Sequence, residues 1–230
     1  MALAHSPRIV TDGLVLCLDA GNTKSYPSPF TGTAWTDLSG NGNNGSLENG
    51  VGYNGSNGGS LSFDGTNDEV FVNNSSSINF SGTQQYTALV WAYPLLGGTT
   101  WHGLISKGNS QQYALTINSP NAYLHYETNQ GGISALNSSA SSVVANTWQF
   151  FGMRFDGTNK TIWKNANIIA TQSATTLNST SNTEQLRIGE GNNGEQFRGN
   201  IAQVSIYNRA LTASEIQQNY NALKSRFINT

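Results

Sequence analysis

The acidic side chains show whether the protein has the residues needed to hydrolyse a glycosidic bond. Hydrolysis of a glycosidic bond requires two carboxyl groups on one face, about 5 Å apart in the retaining mechanism. Two pairs come nearest to this arrangement: Asp68 with Glu69, and Glu190 with Glu195 in a Gly/Asn-rich loop. Neighbouring residues of a strand point to opposite faces, so Asp68 and Glu69 would not converge. We therefore expect no catalytic residues, and we expect these acids to be solvated.

Oxygen ligands offer a second kind of chemistry, the binding of a hard cation. Asp64, Asn67 and Asp68 lie within one turn and present several such ligands, which suits Ca²⁺. The alternative is an Asx turn, in which the side chain of Asp64 accepts a hydrogen bond from a nearby backbone N–H. The three histidines share no short spacing, and the single cysteine cannot complete a zinc site. The sequence requires no cofactor; Ca²⁺ is the one candidate it offers, and the Asx turn stays open as the alternative.

Aromatic side chains beside amides and hydroxyls are a third arrangement. A pyranose presents C–H groups on one side and hydroxyls around its rim, so it binds an exposed ring that has polar neighbours. In the stretch 122–127, placing Leu124 inward puts Tyr123 and His125 on the opposite face. A loop before this stretch is expected to overhang that face, although the core of a domain this size also uses many aromatic residues. The candidate sugar-binding residues are Trp101, His102, Tyr123 and His125.

The stretch 197–227 predicts the elements that close the fold. Ala202, Val204 and Ile206 alternate with polar residues, which is the pattern of a strand with one face on a core. Thr212 followed by Glu215 is a capping box and predicts a helix start. The helix would carry an apolar stripe that must lie against the rest of the domain, namely Ile216, Tyr220, Leu223 and Phe227.

The remainder of the chain reads as short strands separated by turns. Turn signals recur every 8 to 15 residues or so, as an antiparallel sandwich requires. The pentapeptide Phe-Asp-Gly-Thr-Asn occurs at 63–67 and at 155–159, each time between two apolar runs, and predicts a hairpin turn at both places. We therefore predict an all-β fold, an antiparallel two-sheet β-sandwich of the jelly-roll type with one short C-terminal helix.

Composition narrows the classes of partner. Charged residues make up only 10% of the 230 residues, with 11 Lys and Arg against 13 Asp and Glu, so we expect no nucleic-acid partner. No stretch approaches the roughly 20 apolar residues that span a bilayer, so we expect no membrane partner either. The N-terminal residues lack the apolar core of a secretory signal, which predicts synthesis in the cytoplasm.

The first twelve residues are predicted to form an arm that precedes a single domain at 13–230. This arm has no apolar periodicity and contains Pro7, so it gains little from its own domain. We expect a neighbouring molecule to order it, by pairing with an exposed strand edge or by filling an apolar groove. The partner-anchoring residues would be Arg8, Ile9 and Val10.

The motif G-N-I-x-x-V-x-I-Y-N-R-A-L-T-x-x-E-I at 199–216 resembles the closing signature of laminin-G-like and pentraxin-like domains, which belong to the concanavalin A-like lectin/glucanase superfamily. Further matches, among them 13–20, 35–42, 61–68 and 86–94, extend the resemblance over nearly the whole chain. Many relatives hold a structural calcium, but where their closing strand often reads Ile-Asp-Glu-Val, this chain has Ala202 and Gln203 instead of the two acids. That departure removes a ligand that the resemblance would imply.

The Asn-, Gly- and Ser-rich composition also resembles structural proteins of tailed phages, marine phages in particular. This resemblance implies a non-enzymatic virion protein, a capsid decoration or a fibre or tail component made in the host cytoplasm without a signal peptide. Its partners would be other virion proteins, in a homo-oligomer or a capsid or tail lattice, with weak adhesion to cell-surface glycans strengthened by many copies. Two alternatives stay open: a carbohydrate-binding lectin module, and a glycoside hydrolase.

Overall fold

The computed structural model describes residues 8–98, 100–108, 112–128, 135–177, 182–191 and 194–228. It confirms the predicted sandwich, with two antiparallel sheets and one C-terminal helix. With strands numbered in chain order, the first sheet runs β14 (Asn167–Ser173), β13 (Asn159–Lys164), β12 (Gln149–Phe155), β7 (Tyr86–Pro94), β16 (Arg198–Tyr207), β5 (Ser60–Asp64) and β4 (Gly52–Asn54), with β1 (Leu14–Asp19) also paired to β16. The second runs β11 (Ala135–Asn137), β10 (Tyr123–Glu127), β9 (Tyr113–Asn118), β8 (Trp101–Lys107), β15 (Leu186–Ile188), β6 (Glu69–Val72), β3 (Gly45–Glu48) and β2 (Ala34–Trp35).

Strand β16 joins the largest number of elements. One of its edges pairs with β7, while the other pairs with β5 near Gly199 and with β1 near Val204. Val204 and Ile206 point into the core between the sheets, as the alternation predicted. Ala202 was expected on the same face, but it lies on the opposite face, where it packs in the cluster under the helix. A bulge between Ile201 and Gln203 supplies the extra residue that changes the phase of the alternation.

The helix α1 (Ala213–Phe227) begins at the predicted capping box. The Thr212 hydroxyl accepts from the backbone N–H of Glu215, and the Glu215 carboxylate accepts from the backbone N–H of Thr212 at 2.8 Å. Hydrogen bonding from Arg209 lowers the pKa of Glu215 to about 2, so this cap stays ionised at all but very acidic pH. No helix in the described part of the chain is long and apolar enough to cross a membrane.

The apolar stripe of α1 packs on the outer face of the first sheet, as predicted. Trp91 of β7 lies at its centre, with ring centroids 5.4 Å from Tyr220 and 4.6 Å from Phe227. Ile216 is fully buried in the same cluster. Both faces of the first sheet are therefore covered in this region, one by the second sheet and the other by the helix.

The two copies of Phe-Asp-Gly-Thr-Asn play different roles. The copy at 155–159 forms the predicted hairpin between β12 and β13. The copy at 63–67 was also predicted to be a hairpin turn, and that prediction is wrong. Strand β5 before it belongs to the first sheet and β6 after it to the second, so this turn crosses the sandwich.

The predicted N-terminal arm is not separate from the domain over the part that the structure describes. Val10 is buried in the cluster under the helix, so the boundary expected after Asp12 is misplaced. Three hydrogen bonds close a ring: Val10 N–H to Asn219 Oδ1 (2.8 Å), Asn219 Nδ2 to Tyr207 Oη (3.0 Å), and Tyr207 Oη to the Val10 carbonyl (2.9 Å). The carbonyl of Arg8 accepts from Gln218 on the same helix. Residues 1–7 of the arm lie outside the described residues, and anchoring to a partner through Arg8, Ile9 and Val10 stays a prediction.

The ring of hydrogen bonds at Asn219 yields a stability test. We predict that Asn219→Ala lowers the free energy of unfolding by about 1 to 3 kcal/mol, because it leaves the buried N–H of Val10 without a partner. Chemical denaturation measures the loss. Asn221→Ala is the matched control, because Asn221 lies on the same helix and its side chain accepts from Gln217. Equal effects of the two variants would show that the ring contributes nothing specific.

Candidate functional site

Three of the four residues predicted to bind sugar come together on the outer face of the second sheet. The strand register places Trp101 of β8, Asn118 of β9 and Tyr123 of β10 in one row across the sheet. His125 lies in the next row, beside Thr116. Because residues two apart on a strand share a face, all of these side chains point away from the core.

The three rings are in mutual contact. The ring centroid of Trp101 lies 6.0 Å from that of Tyr123, with the planes nearly perpendicular, and 4.9 Å from that of His125. All three residues are partly exposed. We call Trp101, Tyr123 and His125 the aromatic platform. The period-2 alternation in 122–127 was the signal that predicted two of its members.

His102 was predicted to belong to this site, and that prediction is wrong. It was assigned to an overhanging loop, but it is the second residue of β8, and it points inward where its neighbour Trp101 points outward. His102 is fully buried, its ring packs against Phe197 at a centroid distance of 6.2 Å, and its Nε2 is hydrogen-bonded to the Gly97 carbonyl at 3.0 Å. It supports the fold and does not reach the platform.

The environment of His125 favours its charged form. Its Nδ1 lies 2.6 Å from Oδ1 of Asn137, and its Nε2 lies 3.3 Å from Oε2 of Glu127. Both partners accept hydrogen bonds, so both ring nitrogens must carry a proton to satisfy them. Burial lowers the pKa of His125. The hydrogen bonds to Glu127 and Asn137 and the charges of Glu127 and Glu195 raise this pKa by a larger amount, so the net shift is upward.

The described parts of the loop after β15, residues 190–191 and 194–196, lie on the outer face next to the platform. Its backbone lies so close to Gly103 that a Cβ there would come within 1.8 Å of the nitrogen of Gly191. Position 103 must therefore be glycine. The N–H of Gly103 donates to the Glu195 carbonyl at 2.8 Å, which holds the loop on the sheet. Glu195 in this loop is near enough for its charge to raise the pKa of His125.

Beneath the same loop lies a pair of acids that the sequence analysis did not identify. Glu69 was considered with Asp68, and Glu190 with Glu195, but the structure brings Glu69 and Glu190 together, with Arg187 hydrogen-bonded to Glu190 and 3.7 Å from Glu69. Burial and the neighbouring Glu190 raise the pKa of Glu69. Both acids are largely buried, contrary to the expectation that they would be solvated. No local spacing could have revealed this pair, because one partner is on β6 and the other follows β15.

Comparison with known protein families identifies the superfamily of this fold. Residues 64–217 match the family model described as the concanavalin A-like lectin/glucanases superfamily. The chain belongs to this superfamily. A search of curated proteins found no match.

Among solved structures, toxin binding domains and one domain of an arabinanase are similar in fold to this chain. The binding domain of Paraclostridial Mosquitocidal Protein 1 is 22% identical with a TM-score of 0.73, covering 92% of this chain and 52% of that one. The binding domain of botulinum neurotoxin DC, solved in complex with SialylT, is 16% identical with a TM-score of 0.71, covering 93% and 52%. Domain 4 of AbnA, an extracellular arabinanase from Geobacillus stearothermophilus solved with arabinotriose, is 15% identical with a TM-score of 0.62, covering 90% and 98%. This chain thus spans about half the length of the toxin binding domains it matches.

The calcium site suggested by the resemblance to this superfamily stays a prediction. Asp64 Oδ1 accepts from the backbone N–H of Thr66 at 2.7 Å, which is the Asx turn considered as the alternative. Asp68 Oδ2 accepts from the backbone N–H of Asp64 at 2.9 Å, and the Asn67 carbonyl accepts from Asn49. Across the described residues, no group of three or more His, Cys, Asp or Glu is placed to hold a metal ion. The turn is therefore stabilised by its own hydrogen bonds.

The raised pKa of His125 leads to a prediction about the pH at which this side chain titrates. Titration by NMR should give a midpoint above the ordinary value of about 6.5. The pair it forms with Glu127 stabilises the fold below that value, and this contribution is lost as pH rises through the folded pKa. Glu127→Gln should lower the midpoint, whereas Glu48→Gln, at the far end of the same sheet, should leave it unchanged. An unshifted midpoint in Glu127→Gln would show that the carboxylate does not hold the imidazolium.

Proposed function

We propose that this chain is a non-catalytic carbohydrate-binding domain that recognises a glycan at the aromatic platform. The observation that carries the proposal is the contact of three partly exposed rings, Trp101, Tyr123 and His125, on the outer face of the second sheet. A sugar binds such rings through the C–H groups of one face.

Polar groups around the platform suit the hydroxyl rim of a sugar. Asn118 lies in register between Trp101 and Tyr123, and its Oδ1 already accepts two hydrogen bonds from Asn121, which fixes the amide. Asn137 is exposed beside His125. Asn118 is itself buried, so the exposed amide of Asn137 and the charged imidazole, next to rings in mutual contact, are the groups that can orient a sugar in a shallow site. The glycan complexes of the neurotoxin binding domain and of the arabinanase domain support this class of ligand.

The acid pair beneath the loop supports a binding role over hydrolysis. One guanidinium holds both carboxyl groups, since Arg187 is hydrogen-bonded to Glu190 and lies 3.7 Å from Glu69. Both acids are also largely buried. A glycosidase needs two carboxyl groups that reach its substrate, whereas these two are engaged with Arg187.

We further propose that the domain is displayed on a phage particle, as a capsid decoration or as part of a fibre or tail. The support is the resemblance of the sequence to structural proteins of tailed phages. Its partners there would be other virion proteins or further copies of this chain. Many copies on one particle would convert a weak glycan affinity into firm adhesion, because each bound copy raises the effective concentration of the next.

The platform is tested by removing its central ring. We predict that Trp101→Ala weakens glycan binding at least tenfold, equivalent to about 1.4 kcal/mol. Binding would be measured on a glycan array with multivalent protein, followed by calorimetry with arabinotriose and a sialylated trisaccharide as defined probes. Trp101→Phe should retain part of the affinity, because a smaller ring still stacks.

Phe71→Ala is the matched control for this experiment. Phe71 lies on the outer face of the same sheet, but it packs under Arg187 at 5.2 Å and does not contact the platform. It should bind like the wild type. Equal loss in Phe71→Ala and Trp101→Ala, or no glycan bound by the wild type at any density, would rule out the platform.

The virion setting is tested separately. Antibodies against the domain should label intact, density-purified particles from a culture that expresses the gene, and peptides from 8–228 should persist in those particles after washing. Signal confined to host cells or to the soluble fraction would contradict the virion assignment while leaving glycan recognition intact.

A further inference from the structure

The outer face of the first sheet is only partly covered by α1. The helix ends at Phe227, whose ring lies 4.6 Å from that of Trp148. Beyond this contact lies a recess of about 240 Å³, formed where β4, β5, β7 and β16 meet. Tyr93 and Trp148 form its aromatic wall, with ring centroids 5.7 Å apart and planes inclined by 58°.

The rest of this recess is lined by amides and hydroxyls. Asn54 and Ser60 are paired across β4 and β5, and Asn200 of β16 lies opposite Tyr93 of β7. Ser56 and Asn57 complete the rim. All of the described residues that line the recess are uncharged, so the lining suits a neutral ligand.

Two buried polar atoms of the lining have no hydrogen-bond partner within the described chain. They are the hydroxyl of Ser60, a residue that is only 1% exposed, and Oδ1 of Asn200. Buried polar atoms are almost always paired, because leaving one unpaired costs about 1 to 3 kcal/mol. The amide oxygen accepts and the hydroxyl both donates and accepts. A ligand hydroxyl suits both atoms, because it donates to the amide oxygen and either donates to or accepts from the hydroxyl of Ser60.

We propose that this recess is a second carbohydrate site, which binds one neutral sugar residue with its hydroxyls on Ser60 and Asn200 and a C–H face on Trp148 or Tyr93. Its volume is below the range of about 300 to 1,000 Å³ typical of sites for larger ligands, which favours a single ring over a longer segment. The recess lies on the first sheet and the aromatic platform on the second, so this site goes beyond the function proposed above. A domain with both sites contacts glycans from two opposite faces.

The variant Ser60→Ala separates binding from folding. The Ser60 hydroxyl has no partner in the described chain, so its removal should leave the melting temperature unchanged or raise it. Binding would be followed by NMR, through the indole N–H of Trp148, during titration with the methyl glycosides of glucose, galactose, mannose and arabinose. We expect the indole signal of the wild type to shift and saturate with at least one sugar, and we expect Ser60→Ala to weaken that binding at least tenfold.

Ser106→Ala is the matched control, because Ser106 also carries a buried hydroxyl without a partner in the described chain, but on the second sheet. It should bind the methyl glycosides like the wild type. Trp101→Ala should also leave the Trp148 titration unchanged, so failure of the platform and failure of the recess are distinguishable. The proposal is overturned if none of the four sugars shifts the Trp148 signal, or if Ser60→Ala binds as tightly as the wild type.

Discussion

The packing of α1 on the outer face of the first sheet is the contact on which the rest of the structure depends. Trp91 stacks on Tyr220 and lies against Phe227, and the same cluster buries the outward face of β16. The part of a strand that is buried on both faces has no surface to offer a ligand. Among the described residues, the helix leaves uncovered the outer face of the second sheet and the part of the first sheet beyond Phe227, where Asn200 of β16 lies.

Much of the fold could be predicted because local chemistry decided it. The capping box at Thr212 and the alternation around Val204 depend on neighbours within a few residues, and both elements formed as expected. The role of the turn at 63–67 could not be predicted in the same way. Its copy at 155–159 forms a hairpin from the same five residues, so turn chemistry does not determine which sheet the next strand joins. The bulge after Ile201 likewise arises from pairing with β7, which no residue of β16 encodes by itself.

The candidate site was predictable to the extent that it depends on alternation within one strand. Tyr123 and His125 were placed correctly because Leu124 between them must be inward. His102 was placed wrongly because the predicted loop is the start of β8, where the side chains of neighbouring residues point to opposite faces of the sheet. The pairing of Glu69 with Glu190 and the recess at Ser60 both come from strands that are distant in sequence. Such sites arise from topology, and only the structure reveals them.

The ring of hydrogen bonds among Val10, Asn219 and Tyr207 also determines where the polypeptide enters and leaves the sandwich. Because the backbone of Val10 is bonded to the middle of the final helix, the first and last described segments run side by side on the helix-bearing surface. Both described segments therefore lie on the side of the sandwich opposite to the aromatic platform, so a molecule that contacts them and a glycan on the platform would meet different faces of the domain.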